Sequence, residues 1–232
     1  MAERPVYIPQ FEGDLMVKTV FVDFEWFPGL AVSQKQKSVA ALHEAIVAAG
    51  LARRPLEVSS KSPLVPGVAL SAFNLSGTSP SGRTFTVETA FQSSKVFELG
   101  GPYRDLLYST SRVAKKDLRI QESGRLIEFN FFGDVWPLEP KTAFYDWVYI
   151  KTLAKNSTLI EELPLYDAFT DIEFNPKRSI NCQAYSLSLF RSLEARGILE
   201  QALQSKQAFL ELAGYEVVSN AREDTAAQPR LV

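Results

Sequence analysis

One cysteine, Cys182, and one histidine, His43, are all that this 232-residue chain has of two common metal-binding residue types. A lone cysteine excludes an internal disulfide, a lone histidine excludes a His-rich metal centre, and no Cys or His pair has zinc spacing. Cys182 lies at helical spacing among apolar residues and reads as a small buried hydrophobe rather than a nucleophile. There is no run of eighteen apolar residues and no charged-then-apolar amino terminus, so neither membrane insertion nor secretion is expected and the expected location is cytoplasmic. Neither sign of charge is in surplus: 25 basic and 27 acidic residues leave a net charge of −2. Gripping the DNA backbone by counterion release needs a basic excess, so any nucleic-acid contact should be local. Both common nucleotide fingerprints, Gly-x-x-x-x-Gly-Lys-Ser/Thr and Gly-x-Gly-x-x-Gly, are missing. No cofactor or metal is expected.

What is present is apolar. Hydrophobic residues make up 46% of the chain and aromatics 12%, enough to bury a core in one domain of ordinary size. The expected fold is α+β: a helix-rich single domain with a small antiparallel or mixed sheet. Residues 1–60 read as an amino-terminal strand-helix extension packed on the body, 61–214 as the main domain, and 215–232 as a disordered tail. Within the extension, residues 17–26 have strand composition, and residues 37–49 set Val39, Leu42, Ile46 and Ala49 on one side of a helix that stops at Gly50. Residues 53–66 read as a crossing loop, 68–70 and 83–87 as short strands, and 125–132 as a strand closed by Gly133. Residues 138–156 form the longest helix candidate, with 158–163, 181–195 and 198–213 as further helices. Tyr145, Trp147 and Tyr149 on the long helix either pack in the core or stack on an adenine. The one cluster of positive charge, Arg104, Arg112, Lys115, Lys116 and Arg119, reads as a phosphate-binding surface or as a solvated helix face.

The stretch 86–97 concentrates reactive side chains. On an α-helix, Glu88, Gln92 and Lys95 stand at i, i+4 and i+7 and share one face, with Ala90, Ser94 and Phe97 opposite. A half-buried helix shows the same division, and a glutamate in a first turn is favoured by the helix dipole alone. A second candidate is 166–174, where Asp167, Asp171 and Glu173 share one face of a regular strand and repel unless solvated or functional. The turn Asn175-Pro176-Lys177-Arg178-Ser179 then leads into a helix whose first amides, with Arg178, suit a phosphate.

Glu88-x-x-Phe91-Gln92-x-x-Lys95, preceded by Gly82-x-x-Phe85, resembles the signature of the NADAR family. Ser71-Ala72-Phe73 resembles that family's Ser-Asn-Phe, and Asn181-x-x-Ala184-Tyr185-x-Leu187-x-x-x-Arg191 resembles its closing Asn-x-x-Gly helix. With its extra amino-terminal part, the chain looks most similar to NADAR antitoxins paired with DarT toxins. The resemblance covers roughly residues 68–196. It departs where Phe85 replaces the family's tryptophan one residue closer to the glutamate, where Ala72 interrupts Ser-Asn-Phe, and where residues 169–179 replace a Trp-Gly loop.

The resemblance implies a YbiA-like fold and an enzyme that hydrolyses the N-glycosidic link between ADP-ribose and guanine in DNA, reversing the modification made by a DarT-type toxin, its functional partner. Lys95, Glu88 and Asp171 become the catalytic candidates, with Ser71, Phe73, Phe91, Gln92, Arg178 and Asn181 around the substrate. The reaction passes through a state with oxocarbenium character, which a carboxylate stabilises while a general acid protonates the leaving nitrogen. A desolvated Lys95 amine is suited to attack the anomeric carbon, and a charged one to bind phosphate. Guanine in a duplex would have to be flipped out or presented on a single strand. Two other readings remain open: a non-catalytic ADP-ribose or toxin binding module, and an N-glycosidase acting on a small riboside phosphate.

Overall fold

The computed structural model describes residues 1–177 and 179–215. Arg178 and residues 216–232, hence most of the expected tail, lie outside them.

The chain opens with β1 (Ala2–Pro9) and β2 (Val17–Phe24), an antiparallel hairpin in register from Ala2↔Phe24 to Pro9↔Val17. Next comes α1 (Val32–Ala48), which begins five residues before residue 37 because polar Gln34 to Lys37 continue the helix without an apolar position to reveal it. Val39, Leu42 and Ile46 are fully buried and pack with Val6, Val22 and Phe24 in a small core of their own. β3 (Pro55–Glu57) follows, then α2 (Val65–Ala69) where residues 68–70 were expected to be a strand. Pro66 in the first turn favours the helix, and Gly67 lets it approach β3: a Cβ there would lie 2.0 Å from the Glu57 carbonyl oxygen.

A hairpin of β4 (Ser76–Thr78) and β5 (Thr84–Thr86) feeds α3 (Val87–Ser93) and then β6 (Lys95–Phe97). A 3₁₀ turn at Arg104–Tyr108 precedes α4 (Ser111–Lys116), α5 (Arg119–Glu122), β7 (Leu126–Phe131) and β8 (Asp134–Pro137). Strands β6, β7 and β8 form an antiparallel sheet in that order. α6 (Ala143–Leu153) is shorter than residues 138–156, but ten of its 11 residues are buried and it runs through the main core. α7 (Ser157–Glu162) leads to β9 (Ala168–Thr170), followed by α8 (Gln183–Ala195). The single helix expected over 198–213 is two, α9 (Leu199–Leu203) and α10 (Lys206–Leu212), because the Ser205 hydroxyl caps a new start by accepting from the Ala208 amide.

β9 organises the molecule. It pairs in parallel with β3 and antiparallel with β1 at Tyr7↔Phe169, giving a four-stranded mixed sheet of order β2-β1-β9-β3. The fold is therefore α+β with small sheets, and its amino-terminal hairpin shares a sheet with a strand from the far end of the chain. Among the described residues no helix is long and apolar enough to cross a membrane.

Candidate active site

α3 is short but firmly defined. Thr86 accepts a hydrogen bond from the Thr89 amide at 3.2 Å, while the Thr89 hydroxyl accepts from the Thr86 amide at 2.9 Å, a reciprocal cap at the helix start. At the other end the Ser93 and Ser94 hydroxyls donate back to the Ala90 carbonyl at 3.2 and 2.6 Å, and the helix stops. Lys95 consequently opens β6, opposite Phe129, and does not share a helix face with Glu88 at i+7 as the spacing suggested. The helix is also buried on every side, so there is no solvated face opposite Ala90 and Ser94.

The i, i+4 part of the expectation holds: Gln92 Nε2 donates to Glu88 Oε1 at 3.0 Å, both side chains being buried. Gln92 Oε1 is buried and has no partner among the described residues. An amide oxygen left this way costs about 1–3 kcal/mol unless a donor arrives. Lys95 reaches the same place from β6, its Nζ 4.8 Å from the centre of the Phe91 ring. Burial lowers the Lys95 amine from 10.5 to about 8, the Glu88 carboxylate opposing this shift and Lys115 adding to it. Lys115 comes from α4, with its Nζ 5.1 Å from the Phe73 ring centre.

Asp171 is brought in by the end of β9. Its Oδ1 accepts from the Glu173 and Phe174 amides at 3.0 and 3.2 Å, turning the chain immediately after the strand. The three carboxylates expected on one strand face therefore diverge. Asp167 accepts from the Arg53 and Arg54 amides, and Glu173 pairs with Lys35 at 3.1 Å. Asp171 alone is buried. Gln183 Nε2 donates to Asp171 Oδ2 at 2.9 Å, the Ala72 amide donates to Gln183 Oε1 at 2.7 Å, and the Glu88 amide donates to the Ala72 carbonyl at 2.9 Å. This relay fixes Asp171 relative to the start of α3. Tyr145, buried on α6, feels the charges of both Glu88 and Asp171, and burial first of all raises its hydroxyl well above the usual value.

Behind Asp171 is a second buried acid, Glu57. It accepts from Ser59 Oγ at 2.6 Å, Thr170 Oγ1 at 2.8 Å and the Ile172 amide at 2.9 Å. Burial raises both carboxyls, Glu57 further through Asp171 and Asp171 further through Glu173, so the pair retains a proton at neutral pH. Beyond Thr170 lies His43, whose Nε2 is 2.9 Å from Thr170 Oγ1 and whose burial lowers it from 6.5 to about 4.

Of the remaining residues singled out in the sequence, Phe91 is buried against Phe129, Phe144 and Tyr145 and forms the floor beneath Lys95. Phe73 is half-buried beside the cluster, and Asn181 is half-buried two residues before Gln183. Ser71 serves its own turn, donating to the Val68 carbonyl at 2.7 Å and accepting from Asn74 Nδ2 at 3.0 Å. Arg119 bonds Asp105 and Asp117, while Lys115 joins the cluster. Tyr149 and Trp147 are core side chains and Cys182 is buried. Sequence reasoning missed Gln183 and Glu57 and treated Lys115 as one of a set. Gln183 falls at a variable position of the Asn181 motif, so no local signal marked it.

One buried carboxyl, Glu88, is held by the Gln92 amide and acts on the charge of the Lys95 amine, and a second, Asp171, is held by Gln183. The chain belongs to the DarT1-associated NADAR antitoxin family, whose model matches residues 2–223 and so takes in the amino-terminal hairpin and α1. It is an antitoxin of a DarT-type toxin–antitoxin pair, with the toxin as its functional partner. A search of curated proteins finds no match.

Proposed function

We propose that this antitoxin is an ADP-ribosyl glycosidase that removes ADP-ribose from guanine in DNA. The observation that carries the reading is the half-buried Lys95, its amine lowered to about 8, next to the Glu88–Gln92 pair. At pH 7.5 such an amine is neutral in roughly a quarter of molecules, against about one in a thousand at the ordinary lysine value. A neutral amine is a nucleophile; a charged one is not.

In this reading Lys95 attacks the anomeric carbon as the bond to guanine breaks, and the ribose ring opens to a Schiff base that water cleaves. Glu88 stabilises the cationic character that develops at the sugar and takes up the amine proton. The Asp171–Glu57 pair, which burial leaves holding a proton, supplies through Asp171 the proton that the guanine nitrogen needs to leave. Gln92 holds Glu88 through Nε2 and offers its unpaired Oε1 to a ribose hydroxyl. The exposed Lys115 and the half-buried Phe73 suit a phosphate and a flipped base. A net charge of −2 fits local rather than groove-wide contact with DNA.

The test is turnover. Purified protein is incubated with an oligonucleotide carrying ADP-ribosylated guanine, and free ADP-ribose is followed by mass spectrometry. Release together with regenerated unmodified oligonucleotide is the expected result. Tight retention without release would replace the enzyme with a binding module.

A further inference from the structure

A surface cavity of about 430 Å³ opens between the β4–β5 hairpin, the β7–β8 turn and the end of α6. No residue of the Glu88–Lys95–Asp171 cluster lines it. Its walls are aromatic: Phe85 and Phe132 meet edge to face at 6.5 Å between centroids, and Trp147 stands opposite on α6. Lys151 lies with its Nζ 4.1 Å from the Trp147 ring centre, and Lys155 follows four residues on. Asp134 is the one acidic residue in the lining, against these two lysines.

Two features of this lining cost stability. Trp147 is 5% exposed, and its indole N–H has no partner among the described residues. A buried donor left unused costs about 1–3 kcal/mol. Phe132, with Gly133, makes the two-residue β7–β8 turn at φ values of 52° and 97°. Such turns favour asparagine or glycine at the first position, yet here a phenylalanine occupies it and is left 52% exposed. The same aromatic row reaches the reactive cluster: Phe129 lies opposite Lys95, and Phe131, two residues or about 7 Å along β7, lines the cavity.

We propose that this cavity is a second nucleotide subsite, which takes an unmodified base and its phosphate from the single-stranded DNA flanking the modified guanine. The inference rests on the reading of the antitoxin as an enzyme acting on DNA. Its volume is in the range that holds a small aromatic ligand. A base stacks on the exposed ring of Phe132, and Lys151 and Lys155 meet the phosphate. Stacking is indifferent to base identity, so the subsite adds affinity for the strand without adding sequence preference.

The experiment uses a fluorescein-labelled, unmodified single-stranded oligonucleotide and reads binding by anisotropy for wild type, Phe132→Ala, Phe132→Trp and the double variant Lys151→Ala with Lys155→Ala. Free ADP-ribosylguanosine, which has no flanking nucleotide, is the parallel turnover substrate. Phe132→Ala and the lysine pair should each weaken oligonucleotide binding about tenfold or more, Phe132→Trp should keep it, and turnover of the free nucleoside should not change. Absent binding by wild type, or equal binding by all variants, overturns the subsite and leaves the glycosidase reading intact. Phe132-dependent binding with no turnover of the free nucleoside or of an ADP-ribosylated oligonucleotide sinks the glycosidase reading and leaves the subsite standing.

Discussion

The lysine at the head of β6 should titrate far from its surface counterparts. Its amine is lowered from 10.5 to about 8, a difference of roughly 3 kcal/mol in the cost of charging. Burial supplies most of this, Lys115 adds to it and Glu88 works against it. Two substitutions therefore push in opposite directions: Lys115→Met should raise the Lys95 midpoint towards 10.5, and Glu88→Gln should lower it below about 8. The assay is an NMR titration of lysine side chains labelled with ¹³C at Cε, with Lys95 assigned from Lys95→Arg. One resonance should titrate with a midpoint of about 8 and move as described in the two variants. A midpoint near 10.5, unmoved by either change, would refute the claim that the fold supplies a neutral amine.

Three stability predictions follow from the same geometry. The Glu57 carboxyl is raised above its ordinary 4.5, so above that pH the folded state holds a proton the unfolded chain has lost, and stability falls as pH rises until Glu57 ionises in the fold. His43, lowered to about 4, acts oppositely between about pH 4 and 6.5, while Asp171, raised like Glu57, adds to the fall; Glu57→Gln should therefore leave urea stability falling less steeply with pH than in wild type. Thr86→Ala removes the α3 cap and should cost about 1 kcal/mol in urea unfolding, with no cost if the cap is idle. Gly67→Ala places a methyl 2.0 Å from the Glu57 carbonyl oxygen and should lower stability by about 1–3 kcal/mol or more, and the melting temperature with it, whereas an unchanged melt would mean that α2 does not sit on β3.

Much of the fold was legible because its signals are local. Val39, Leu42 and Ile46 at helical spacing gave α1, the alternation in residues 125–132 gave β7, and the apolar stretch of α6 announced a central helix. What periodicity could not supply was set by single hydrogen bonds and distant contacts. α3 ends at Ser93, two residues before Lys95, and no spacing rule anticipates that. Asp171 turns its own backbone, so an alternating run became a three-residue strand whose acids scatter. β1 escaped notice because Pro5 and Pro9 lower its strand propensity, although only its pairing with β2 and β9 decides the matter. The Glu88–Gln92 contact was readable as an i, i+4 pair. Gln183, which ties Asp171 to Ala72 from 111 residues away, was not, because its role exists only once β9, α8 and the 70–75 turn have packed.

The most direct measurement is reductive trapping. The protein and an ADP-ribosylated guanine oligonucleotide are mixed with borohydride, digested, and mapped by mass spectrometry. A reduced ADP-ribosyl adduct on Lys95, absent in Lys95→Ala along with turnover, is the predicted result. Full release of ADP-ribose with no adduct on Lys95, or undiminished turnover by a folded Lys95→Ala protein, would contradict the account.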